Sequence, residues 1–114
     1  MDSILKSVRK LSGVDPNDNS FDTDLIIHTN AALMKLNQLG VGPLLGFYIE
    51  DESETWDDFE PDKFISRSIQ SYVCIKVRLV FDPPASPTVV DALKAAVAED
   101  EWRIVNWVRD NSQI

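Results

Sequence analysis

The chain has 114 residues, 44% of them hydrophobic, and nineteen acids against eleven bases give it a formal charge of −8. This length suits one domain, expected over residues 1–114, and the apolar fraction argues against wholesale disorder. The acidic balance argues against affinity for phosphate backbones or anionic membranes. No apolar run approaches the ~20 residues of a bilayer span, and the lone Cys74 excludes an internal disulfide. The opening MDSILKSVRKLSG lacks the apolar core and cleavage site of a secretory signal, so synthesis in a cytosol is expected.

Ile4, Leu5, Val8 and Leu11 recur at helical spacing, with Ser3 to cap the start and Gly13 to end it. Lys6, Arg9 and Lys10 fall on the other faces. After the turn-rich DPNDNS, a second helix is expected with Asp22 as N-cap and Phe21 stapled onto Ile26. Leu25, Leu33, Leu36 and Leu39 mark its buried side, and Gly40 supplies the stop. From Val41 to Glu60 the periodicity fails. This stretch reads as a long ordered loop between helices 2 and 3, pinned by Phe47, Ile49, Trp56 and Phe59, with a short extended piece at Phe47–Ile49.

The third helix lies between Pro61 and the pair Pro83-Pro84, with SIQSYVCIKVRLVF at its centre. Ile65, Ile69, Tyr72, Ile75, Leu79 and Val80 fall on one broad side, while Val73, Cys74, Val77 and Phe81 continue the apolar surface round the back. Only Arg67, Ser71 and Arg78 form a polar strip, and Lys76 stands alone among apolar neighbours. A helix apolar nearly all round has neighbours on most sides, which makes this one central. Asp82, preceding a proline, is pushed out of helical conformation. Ser86 then caps a last helix with Pro87 at its first position. Val89, Val90, Leu93, Ala96, Val97, Ile104, Trp107 and Val108 form its apolar face. The fold class expected is all-α: a small bundle of about four helices with one long loop.

Three features stand out as sites. Trp102 projects opposite the apolar face of the last helix, beside Arg109. It either lies flat over Ala98 and arginine stems or contacts another chain, since Trp and Arg are over-represented among interface hot spots. Asp100 and Lys76 each interrupt an apolar face. They are expected to meet as a buried pair between the last two helices, or Asp100 to meet an arginine there; otherwise both reach water at the rim. The run Glu50, Asp51, Glu52, Glu54, Asp57, Asp58, Glu60 and Asp62 contains no base. It lacks the calcium-loop pattern, so a solvated acidic loop is expected and no metal. His28 has no triad partners, no phosphate loop or zinc spacing is present, and neither catalysis nor a cofactor is expected.

In three segments the chain resembles the head–tail connector (adaptor) proteins of long-tailed bacteriophages: NQLGVGPLLGFYIED with TWDDF, YVCIKVRLVFDPP, and DALKAAVAEDEWRI. The resemblance covers nearly the whole chain. It implies a helical virion subunit, made in the bacterial host cytoplasm, that assembles with copies of itself into a ring beneath the portal, twelve-fold on that scaffold. The implied partners are the portal protein and a tail-proximal stopper or tail-completion protein. Carried onto this chain, the resemblance puts portal and neighbour contacts on Trp102, Arg103, Trp107 and Arg109, then on Trp56, Asp57, Asp58 and Phe59. With few residues after Trp107, no long C-terminal arm is expected. A conduit should repel the DNA that passes through it, so Glu50, Asp51, Glu52 and Glu54 are expected to face the channel, without specific DNA binding. From a different class, the alternative reading is a small cytosolic helical regulator that binds one protein and catalyses nothing.

Overall fold

The computed structural model describes residues 2–111. It contains α1 (Ile4–Leu11), α2 (Asp22–Gln38), a one-turn α3 (Trp56–Phe59), α4 (Lys63–Phe81) and α5 (Pro87–Asn111). The architecture is all-α, with no strand among the described residues beyond a single backbone bridge between Ser3 and Thr55. The fifth helix, α3, lies inside the stretch read as loop. Thr55 and Asp58 close it with a capping box, each side chain bonding the other's backbone N–H.

The centre of the molecule is α4. Ile65, Ile69, Tyr72, Val73, Cys74 and Val77 are buried along it, and α1, α2, α3 and α5 all pack against it. Asp62 caps its start, donated to by the Phe64 N–H at 2.8 Å. Beyond Val77 the cover thins, and Val80, expected on the buried side, is exposed. α2 contributes Leu25, Ala32, Leu33 and Leu36 to the same core, and α1 contributes Ile4, Leu5 and Val8. The 25-residue α5 spans about 37 Å at helical rise, in a molecule 44 Å along its longest axis.

Two glycines end helices as expected, by the same motif. Gly13 and Gly40 take φ of +82° and +103°. The following Val14 and Val41 donate back to the carbonyls of Arg9 and Leu36, at 2.8 and 3.0 Å. At the opening of α2 the expectation fails. Asp22 is the first helical residue, not the cap; Phe21 is the cap residue, without a side-chain cap bond. The Asp22 carboxylate is engaged by Arg9 instead, and Phe21 packs edge-on against Phe81 with ring centroids 5.6 Å apart.

α1 departs furthest from expectation. Leu11 is exposed, whereas Arg9 is only 2% exposed. Arg9 lies about 40° round the helix from Leu5, inside the arc that neighbouring segments cover.

Gly40 also sits under α5, where a Cβ added to it would stand 2.8 Å from Cγ1 of Val108. Gly40→Ala is therefore expected to cost about 1–3 kcal/mol, from the left-handed backbone and the contact together. Thermal unfolding of Gly40→Ala with and without Val108→Ala checks this. The second change should recover the contact part and leave the backbone part.

Candidate interaction surfaces

Of the 25 residues of α5, only Asp100 and Ile104 are buried. Val97, Trp107 and Val108 pack partly on the core, while Trp102 is 67% exposed and Val105 is exposed too. Arg103 bonds Glu99 on its own helix, and Arg109 donates to the side-chain oxygen of Asn106. Both arginines are thus held along α5 with their outer faces in solvent. Phe64, at the start of α4, is 83% exposed. It shares with Trp102 and Trp107 an open groove of about 840 Å³ between α4 and α5.

The other expected interface residues separate. Trp56 and Phe59 are 3% and 1% exposed, so they belong to the chain's own core and offer no surface to a neighbour. The Trp56 indole N–H donates to the Ser7 hydroxyl at 3.1 Å, and Phe59 meets Phe47 edge-on at 5.3 Å. Aromatics among acids are as compatible with an anchor as with a docking patch, and here they anchor. Asp58 is exposed and caps α3, while Asp57 is half-buried beside it.

The acidic stretch is built rather than loose. Glu54 accepts from the backbone N–H groups of Glu50 and Asp51 at 3.1 and 3.3 Å. Asp51 accepts from Ser53, a bond that holds its carboxyl below the ordinary value. On α1's side, Ile4 N–H donates to the Glu54 carbonyl and Trp56 N–H to the Asp2 carbonyl, at 3.0 and 3.2 Å. Asn30 of α2 clamps Ile49 from both sides, donating to its carbonyl and accepting from its N–H. Glu50 and Asp51 face solvent; Glu52 is tied to the body by Arg9.

Arg9, placed by sequence reasoning on an outer face, is buried. Its guanidinium donates to both oxygens of Asp22, to the Pro16 carbonyl and to Glu52 at 2.6–2.9 Å. Its pKa is raised, first by the bond to Asp22, against the opposing pull of desolvation. Arg9→Lys keeps the charge but loses the fork, and is expected to cost about 1–3 kcal/mol, read by chemical denaturation. Glu52→Gln, at the exposed end of the cluster, should cost well under that.

Lys76 and Asp100 do not pair. The Lys76 ammonium donates to the Tyr72 hydroxyl at 3.2 Å and sits 5.0 Å from that ring's centroid. Burial pushes the Tyr72 hydroxyl up to about 12, with Glu101 adding to the shift. Asp100 meets Arg103 at 3.6 Å along its own helix, not an arginine across the interface, and its Oδ2 has no hydrogen-bond partner. The two charges project from separate helices, and each finds a neighbour one turn away on its own.

Desolvation raises the Asp100 pKa, against the smaller pull of Ser71 and Arg103. The folded chain therefore holds that proton more tightly than the unfolded one. The carboxylate's cost to stability is absent in acid and develops as pH rises through the interval above the ordinary carboxylate value. Asp100→Asn is expected to raise the melting temperature at pH 7, with a gain that shrinks toward zero as the buffer is acidified. Thermal scans of both proteins across that pH range check it.

One surface escaped sequence reading. Pro43 to Gly46 form a tight turn, closed by Gly46 N–H donating to the Pro43 carbonyl at 3.0 Å, with Leu44 and Leu45 at its tip fully exposed. Tyr48, Met34 and Ile27 add exposed apolar area on the loop and α2. The available signal was two leucines at the tip of a Pro-x-x-Gly turn, where small polar residues are usual.

Among the described residues no group of three or more His, Cys, Asp or Glu could hold a metal ion, and no helix is long and apolar enough to cross a membrane. Burial pushes the Cys74 thiol up to about 12, leaving it a core hydrophobe. Fold and surfaces together define a small all-α protein with uncovered apolar area on α4, α5 and the loop before α3. A family model described as Phage connector protein matches residues 4–111, and the chain belongs to that family of structural virion components. No curated protein and no solved structure matches the chain significantly.

Proposed function

We propose that this connector is an adaptor that forms a ring on the phage portal, extends the DNA channel, and gives a tail-side stopper or tail-completion protein its docking surface. The observation that carries the reading is the apolar surface the chain does not cover itself: Trp102 on α5, with Phe64 beside it on α4. Exposed tryptophan flanked by arginines is the composition of an interface hot spot. Trp102, Arg103, Trp107 and Arg109 then meet the portal or a neighbouring copy. Glu50 and Asp51, exposed on the loop, fit a bore that repels phosphates. Glu52 and Glu54 support that rim from behind, through Arg9 and the loop backbone.

Co-expression with the portal protein of the same phage, followed by affinity capture and electron microscopy, tests the reading; rings seated on the portal are expected. Trp102→Ala should reduce capture by roughly tenfold or more, because a hot-spot tryptophan contributes at least that much. Its melting temperature should stay near wild type, since the indole is largely in solvent. A large loss of stability with capture intact would reject the role.

A further inference from the structure

The turn at Pro43–Gly46 and the groove between α4 and α5 are both unfilled, and they share no residue. We infer that they fill each other between copies: the Leu44–Leu45 tip of one copy seats in the Phe64–Trp102 groove of the next. This rests on the ring reading above.

The turn is a rigid knob. Asn37 of α2 donates to the carbonyls of Val41 and Pro43 at 3.1 and 2.7 Å, and Gly46 closes the turn across the two leucines. Two side chains at full exposure are thus held on a backbone that loses little freedom when they are covered. The groove has an apolar floor from Phe64, Trp102 and the half-buried Trp107, with Asp62 and Asp110 balanced by Arg67 and Arg103 around it.

Charge selects a second copy as the occupant. Each chain carries −8, so copies repel wherever their acidic stretches meet. The tip Pro43-Leu44-Leu45-Gly46 is uncharged and the groove's charged residues cancel, so this pairing lets like-charged copies touch without opposing fields. Joining one surface to a different surface is a head-to-tail contact, the kind that closes into rings.

Area explains why the contact needs a scaffold. Two leucines against two aromatics cover on the order of several hundred Å², below the ~1,200 Å² low end of stable interfaces. A single contact leaves free copies apart. Repetition on a portal raises the local concentration enough for it to hold.

The test uses full-length chains of two kinds, Leu45→Cys and Phe64→Cys, differing in a size tag, mixed equally and assembled on the portal. A short bis-maleimide then links nearby thiols, and buried Cys74 stays silent. Mixed dimers far exceeding either same-kind dimer are expected. In parallel, Leu44→Asp with Leu45→Asp should cut ring yield roughly tenfold or more with an unchanged melting temperature. Rings that form normally without mixed links overturn the inference and leave the connector reading standing. Rings that survive the aspartates but no longer capture a tail-side protein also overturn it, assigning the turn to that protein. If wild-type chains form no ring on the portal, the ring reading fails, and this inference with it.

Discussion

The rest of the structure depends on the packing of four elements around α4. A 19-residue helix with apolar residues on most of its circumference is stable only if other segments surround it, and four elements do so. α2 and α5 make the most extensive contact with it, α1 packs against it as well, and the turn of α3 lies near its start. The prolines at either end fix where the helix begins and stops. Every other element therefore packs with reference to one axis, and what remains outside is whatever that axis could not accommodate.

The chain from Val41 to Glu60 stays ordered without regular structure because its polar groups are answered locally. Asn30 replaces a missing strand partner at Ile49, Glu54 accepts the backbone donors of the loop, and Arg9 ties Glu52 and Asp22 together from inside. Arg9 carries most of the electrostatics here. A buried guanidinium is tolerable only with its donors answered, and two carboxylates and a carbonyl answer them. An acidic surface is thereby joined to the body by a cation the solvent hardly sees.

Much of this was legible in the sequence. Helical periodicity, the Gly13 and Gly40 stops, the Asp82-Pro83-Pro84 elbow and the central standing of the third helix all follow from local rules, and the bundle follows from them. What was not legible depends on which arc of a helix its neighbours cover. Arg9 and Leu11 exchanged burial because the covered arc of α1 runs from Ile4 through Leu5 to Arg9, and no single helix states where its neighbours lie. Asp22 looked like a cap until Arg9 claimed it. Trp56 and Phe59 pin the loop, as their residue types suggested, while the neighbour contact that the family resemblance put on them does not fit their burial. Lys76 and Asp100 were paired on charge alone, but each meets a residue of its own helix instead, Tyr72 and Arg103. Trp102 could be singled out from helical phase because it lies off the face that α5 turns to the core, and it is 67% exposed.

The sealed position of Cys74 has a consequence for how such an assembly forms. With its one sulfhydryl enclosed in the core, the folded chain offers no thiol for a disulfide to another copy, whatever the oxidant outside. Junctions between copies in the proposed ring would hold without disulfides. In the proposed ring, a misplaced copy is then free to leave and be replaced before the circle closes.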